Sequence, residues 1–181
     1  MNPVSLALTD VEHAFRHLEF AIKLMCYCEL DHLDRSKFDS DVTILLEKEN
    51  VSFPSNTFET LDSVVLAAQA NVGVCFGVTA IVLDAVFEVA GVPKRPQSFA
   101  PADELRTLVY MVRCAFAHNP AMPCWDARKY YARLLSLPLG ASTMTLDLAS
   151  LHGRPFEHEH IGGFANWFKI RSESERVING T

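Results

Sequence analysis

Residues 61 to 90 read LDSVVLAAQANVGVCFGVTAIVLDAVFEVA, and this stretch decides the fold. Leu61, Val64, Val65, Ala68, Val72, Cys75, Phe76, Thr79, Val82, Leu83, Val86, Phe87 and Ala90 recur at steps of three and four, the period of an α-helix. Gly91 and Pro93 supply the stop, so a helix is predicted over Leu61 to Ala90. The run is apolar enough to raise the question of a membrane span. Asn71, Asp84 and Glu88 interrupt it and no basic cluster flanks it, so a buried central helix is the better reading. Gly73 and Gly77 lie one turn apart, where missing side chains would let a second helix approach.

Working upstream, Thr9 and Glu12 have capping-box spacing, which starts a first helix there and carries it to about Glu29. Val11, Ala14, Phe15, Leu18, Ile22 and Met25 form its apolar stripe, with Glu12, Arg16, Glu19 and Lys23 toward water. Val42, Ile44, Val51 and Phe53 around the polar Glu47 to Asn50 bend predict a short hairpin. Downstream, Pro93, Pro96 and Pro101 punctuate a connector into a third helix bearing Leu105, Leu108, Val109, Val112, Ala115 and Phe116. Pro120 ends that helix, because it pushes Asn119 out of helical dihedrals.

Asp126 to Leu135 is read as a short further helix with Tyr130, Tyr131 and Leu134 as packing residues. Thr143 to Leu148 alternates like a strand, and His152-Gly153 is read as the turn into its hairpin partner at Arg154 to Phe156. Phe164, Trp167, Phe168 and Ile170 form a short amphipathic helix after Gly162-Gly163. The expected organisation is one domain over 1–181: a helical bundle over about 9–135, a hairpin plus short helix over about 140–172, and a polar tail over 173–181.

Composition narrows the function classes. An apolar content of 49% supports a core without disulfides or metal, and 16 basic against 22 acidic residues give a net charge of −6. That balance lacks the basic excess of a non-specific nucleic-acid binder, so any such contact must be local. Cys26, Cys28, Cys75, Cys114 and Cys124 show no paired CxxC spacing and read as reduced core residues. With no signal peptide in view, the cytoplasm is the expected location.

The chemistry centres on Val112-Arg-Cys-Ala-Phe-Ala-His-Asn119. Arg113 and His118 lie five residues apart, roughly 140° in azimuth on a straight helix, and Asn119-Pro120 forces the helix to finish at His118. Arginine presents a fork of donors to phosphate oxygens and histidine exchanges protons, a pairing suited to phosphodiester chemistry. The bland alternative is that Arg113 pairs with a carboxylate and His118 caps the last carbonyls.

This element resembles the hallmark of the HEPN superfamily, an arginine and a histidine separated by four to six residues near the end of a bundle helix. About residues 102 to 125 carry the likeness, and the order of the two preceding amphipathic helices agrees with it. The resemblance implies a mainly α fold, a HEPN-like helical bundle with a small hairpin and a short C-terminal helix appended. It further implies a homodimeric, metal-independent RNA endonuclease without a cofactor, with Arg113 and His118 as catalytic residues and Cys114 and Asn119 in support. RNA, a second copy and a protein antitoxin are the partners such a toxin or defence protein would meet. The family also contains non-cleaving members, so a nucleotide-, RNA- or protein-binding module is the alternative. Cys114 departs from the polar residue common after the arginine in active members.

Other groups receive plainer readings. His152, His158 and His160 in an extended segment have metal-ligand character but no fixed carboxylate or cysteine partner, so a solvated loop is expected. His13 and His17 lack the HExxH pattern and read as partly exposed packing residues. Cys114 and His118 have the spacing of a nucleophile pair, yet the apolar helix end favours an inert thiol. Trp125 and Trp167 lie outside any basic patch and read as packing aromatics.

Overall fold

The computed structural model describes residues 2–95 and 98–180; Pro96, part of the proline connector, lies outside them. The chain is mainly helical, with two antiparallel hairpins. In order it forms α1 (Pro3–Glu29), α2 (Arg35–Phe38), β1 (Val42–Leu45), β2 (Asn50–Phe53), α3 (Leu61–Val89) and α4 (Pro101–Ala117). Then follow β3 (Leu134–Leu139), β4 (Ser142–Asp147), α5 (Leu148–Leu151) and α6 (Gly163–Asn179), with single 3-10 turns at Lys129–Tyr131 and His158–Ile161. Residue contacts divide the chain into two compact units, Met1–Arg16 with Gly73–Thr181, and His17–Val72.

The central helix runs 29 residues, as its period requires, and stops as Gly91 takes a left-handed φ of 74°. It is long and apolar enough to cross a membrane, but half of its most apolar window is buried. Val74, Val78 and Ile81 remain exposed along one stripe. The two glycines part company. A Cβ at Gly77 would stand 2.5 Å from Cδ1 of Phe116, so α4 does pack against it, whereas Gly73 has nothing within 4 Å.

The larger unit is built around aromatic side chains. Phe76 stacks on Trp167 at 4.9 Å between centroids and meets Phe116 at 5.6 Å, while Phe156 bridges Phe116 and Trp125 at 5.0 Å each. The buried Trp167 indole donates to Thr79 Oγ1 at 2.8 Å, which satisfies its one polar atom. The smaller unit has its own apolar cluster, with Cys28, Val64 and Ala68 buried beneath Leu24, Met25, Leu33 and Phe58. Its hairpin pairs Val42 with Phe53 and Leu45 with Asn50, close to the expected placing.

Five sequence expectations are corrected. Thr9 does not cap: α1 starts six residues earlier, where Asn2 Oδ1 accepts from the Val4 amide and Pro3 fills the first helical position. Thr9 then merely returns its hydroxyl to the Ser5 carbonyl, and Glu12 turns outward to Arg16. Asp126 to Leu135 is not a helix but an extended segment, one 3-10 turn and the start of β3. The cause is the period-two burial of Leu135, Leu137 and Leu139.

β4 accordingly pairs backward with β3 across Gly140, not forward with Arg154 to Phe156. Residues 173–179, read as tail, continue α6, where Arg171–Glu175 and Arg176–Glu173 pairs at 2.7 Å each and a buried Ser174 carry the helix to Gly180. His158 and His160 sit in a 3-10 turn, not an extended segment.

Candidate functional site

Helix α4 presents Tyr110, Arg113, Cys114, Ala117 and His118 to one open cavity of about 460 Å³. These positions are i, i+3, i+4, i+7 and i+8, which is one helical face. At roughly 100° per residue, Arg113 and His118 occupy the two rims of that face, with Cys114 and Ala117 between them. The helix does end at His118, its C-cap, with Asn119 Oδ1 accepting from the Ala121 and Met122 amides at 3.2 Å each to turn the chain away. Asn119 thus shapes the site without lining it.

The opposite wall comes from residues 124 to 131. Trp125 and Ala127 are buried and alternate with Asp126 and Arg128, an extended pattern that anchors two side chains and turns the other two toward the cavity. The Trp125 amide bonds the Arg154 carbonyl, and its indole donates to His160 Nδ1 at 3.1 Å. His160 is therefore a structural acceptor, while His158 stacks on Phe164 at 4.2 Å. Among the described residues no group of three or more His, Cys, Asp or Glu side chains could hold a metal ion.

Lys129 follows with φ of 54°, a left-handed conformation that costs a residue with a Cβ about 1–2 kcal/mol. Tyr131 packs its ring 5.3 Å from Tyr110 and donates to the Lys94 carbonyl at 3.3 Å, which brings Arg95 to the rim. The lining thus holds Arg95, Arg113, Arg128 and Lys129, with His118, against one carboxylate, Asp126. Asp126 is itself matched by Arg128 Nε at 2.6 Å.

Behind this face lies a buried ion pair. Arg106, with no side-chain exposure, donates to Asp84, whose side chain is 4% exposed, and its guanidinium sits over the Phe87 ring at 5.2 Å. Burial pushes the Asp84 carboxyl upward and Arg106 pulls it back. Arg113 Nε reaches the same carboxylate at 3.7 Å, yet 38% of its side chain stays exposed. Arg113 is therefore oriented from behind and open in front.

The Tyr110 hydroxyl is pushed up to about 12, first by its hydrogen bond to Cys114 and then by burial. Burial raises the Cys114 thiol as well, against the pull of Tyr110 and Arg113. The thiol's hydrogen bonds run to Tyr110 and Arg113, and its raised pKa makes it a poor nucleophile near neutral pH. His13 and His17 are exposed on α1, outside this cavity.

The sequence singled out Arg113, Cys114 and His118, and all three line the cavity. It missed Arg95, Tyr110, Arg128, Lys129 and Tyr131. Tyr110 carried a signal, one turn before Arg113 on the same face, and Arg128-Lys129 stood as a basic pair. No known protein family, curated protein or solved structure matches this chain.

Proposed function

We propose that the chain is a HEPN-type, metal-independent RNA endonuclease that works as a homodimer in the cytoplasm. The observation that carries this reading is the shared cavity: Arg113 and His118 line one open, predominantly basic hollow on a chain of net charge −6. The exposed Val74, Val78 and Ile81 stripe on α3 supplies apolar surface on which two copies can pair.

In the reaction, one His118 takes the proton of a ribose 2′-hydroxyl as that oxygen attacks phosphorus. The bond to the 5′-oxygen breaks, and the partner's His118 protonates that leaving group. The products are a 2′,3′-cyclic phosphate and a 5′-hydroxyl. Arg113 holds the charge that builds on the phosphorane oxygens. The role of a toxin restrained by a protein antitoxin belongs to the same proposal.

A non-catalytic nucleotide- or RNA-binding module is the second reading, favoured by the partial commitment of Arg113 to Asp84 and Cys114. Cleavage of a labelled RNA by the purified protein in EDTA separates the two. Under the first reading His118→Ala and Arg113→Ala each lower the rate by two or more orders of magnitude. Light scattering should then give twice the 20.2 kDa chain mass. Wild-type cleavage by His118→Ala would overturn the mechanism, and RNA binding without cleavage would favour the second reading.

A further inference from the structure

The cavity holds more cations than a phosphodiester needs. A diester carries one negative charge, which Arg113 alone matches. Arg128 gives its Nε to Asp126 at 2.6 Å and keeps 69% of its side chain exposed, and Arg95 and Lys129 have no carboxylate beside them within the cavity lining. A phosphate monoester carries close to two negative charges at neutral pH and three acceptor oxygens, which is the ligand such a surplus fits.

The backbone points the same way. Lys129 is one of three non-glycine residues with positive φ among those described, and it is the one of the three that lines this cavity. Glycine or asparagine would hold that turn with less strain. A lysine kept there at the cavity wall is strain located at a functional surface. Tyr131 and its hydrogen bond to the Lys94 carbonyl fix the neighbouring rim from which Arg95 enters.

We infer that Arg95, Arg128 and Lys129 form a second anion station beside Arg113, which receives a terminal phosphate monoester, either the 5′-phosphate end of an RNA or that of a free nucleotide. This rests on reading the cavity as a phosphate site and adds a preference for a 5′-phosphorylated strand over an unphosphorylated one. Tyr110 and Tyr131 line the same cavity with their rings packed 5.3 Å apart.

Binding is measured by calorimetry at fixed low salt with one short RNA in 5′-phosphate and 5′-hydroxyl forms, and with adenosine monophosphate against adenosine. The 5′-phosphate form is expected to bind about tenfold tighter or more, the yield of one additional charge-assisted hydrogen bond. Arg128→Ala with Lys129→Ala brings that ratio close to one. Lys129→Gly also lowers the ratio, and because it relieves the left-handed strain it unfolds no earlier than wild type, which separates loss of the station from loss of fold.

Equal affinity for the two RNA forms, and for nucleotide and nucleoside, overturns the second station while leaving the Arg113 and His118 reading intact. Preference for adenosine monophosphate with no RNA binding keeps the station, assigns it to free nucleotide, and removes the ribonuclease. No binding of any probe overturns both.

Discussion

Gly77→Ala is expected to destabilise the protein while Gly73→Ala, one turn away on the same helix, stabilises it. Both changes gain helix propensity, worth roughly 0.5–1 kcal/mol. At Gly73 nothing lies within 4 Å of the new methyl, so the gain stands alone. At Gly77 the methyl meets Phe116 at 2.5 Å to Cδ1, 3.0 Å to Cγ and 3.3 Å to Cβ, so rotating the ring does not clear it and α4 itself must shift. Phe116 is buried between the Phe76 and Phe156 rings, and overpacking of this kind costs about 1–3 kcal/mol. The net expectation is a loss of about 1–2 kcal/mol at Gly77 against a gain at Gly73. Urea unfolding of the three proteins, followed by far-UV circular dichroism, reads the difference directly. A Gly77→Ala protein as stable as Gly73→Ala would refute the close approach of α3 and α4.

Two further outcomes follow from the buried groups behind and beside the site. Asp84→Ala strands the fully buried Arg106 guanidinium and should lower stability by about 3–5 kcal/mol, whereas replacing both partners by Leu and Met should cost much less, as read by denaturant unfolding. Tyr110, its hydroxyl raised from 10.0 to about 12, favours the neutral phenol in the folded state, so this contribution to stability is complete below pH 10 and is lost as pH rises through 12. Absorbance titration at about 295 nm should show a late-titrating phenol that Tyr110→Phe removes; a wild-type curve with no component above pH 11 would contradict the Tyr110–Cys114 hydrogen bond.

The long helices were legible because their signal is local. α3 needs only its own period and the Gly91 stop, and the Trp167 and Ile170 face of α6 is likewise written within two turns. The start of α1 was misplaced because Thr9 and Asn2 both offer a capping oxygen, and only the additional turn from Pro3 decides between them. β3 was missed because Leu134-Leu135 invites a helical reading until Leu137 and Leu139 are counted with Leu135 as an alternating row. The partner strand was misassigned for a related reason: Gly140 and Gly153 both take positive φ, and the choice of hairpin turn depends on which flanking strand finds buried neighbours.

The site divides along the same line. Arg113 and His118 were found because one helix carries both, and their 140° separation, which looks like an obstacle, places them on opposite rims of a single cavity wall. Arg95, Arg128 and Lys129 reach that cavity only through contacts remote in sequence: the Tyr131 bond to Lys94, and the anchoring of Trp125 on Arg154 and His160. Net charge limited any such contact to a local one without locating it, for the same reason. Fields of exposed charges fade within a Debye length of about 8 Å at physiological salt, so the −6 of the whole chain disfavours a long basic track but says little about a hollow lined by four cations and one carboxylate. Such a surface suits recognition of one or two phosphates at a defined place, where a sliding, sequence-blind binder of nucleic acid needs a long basic track.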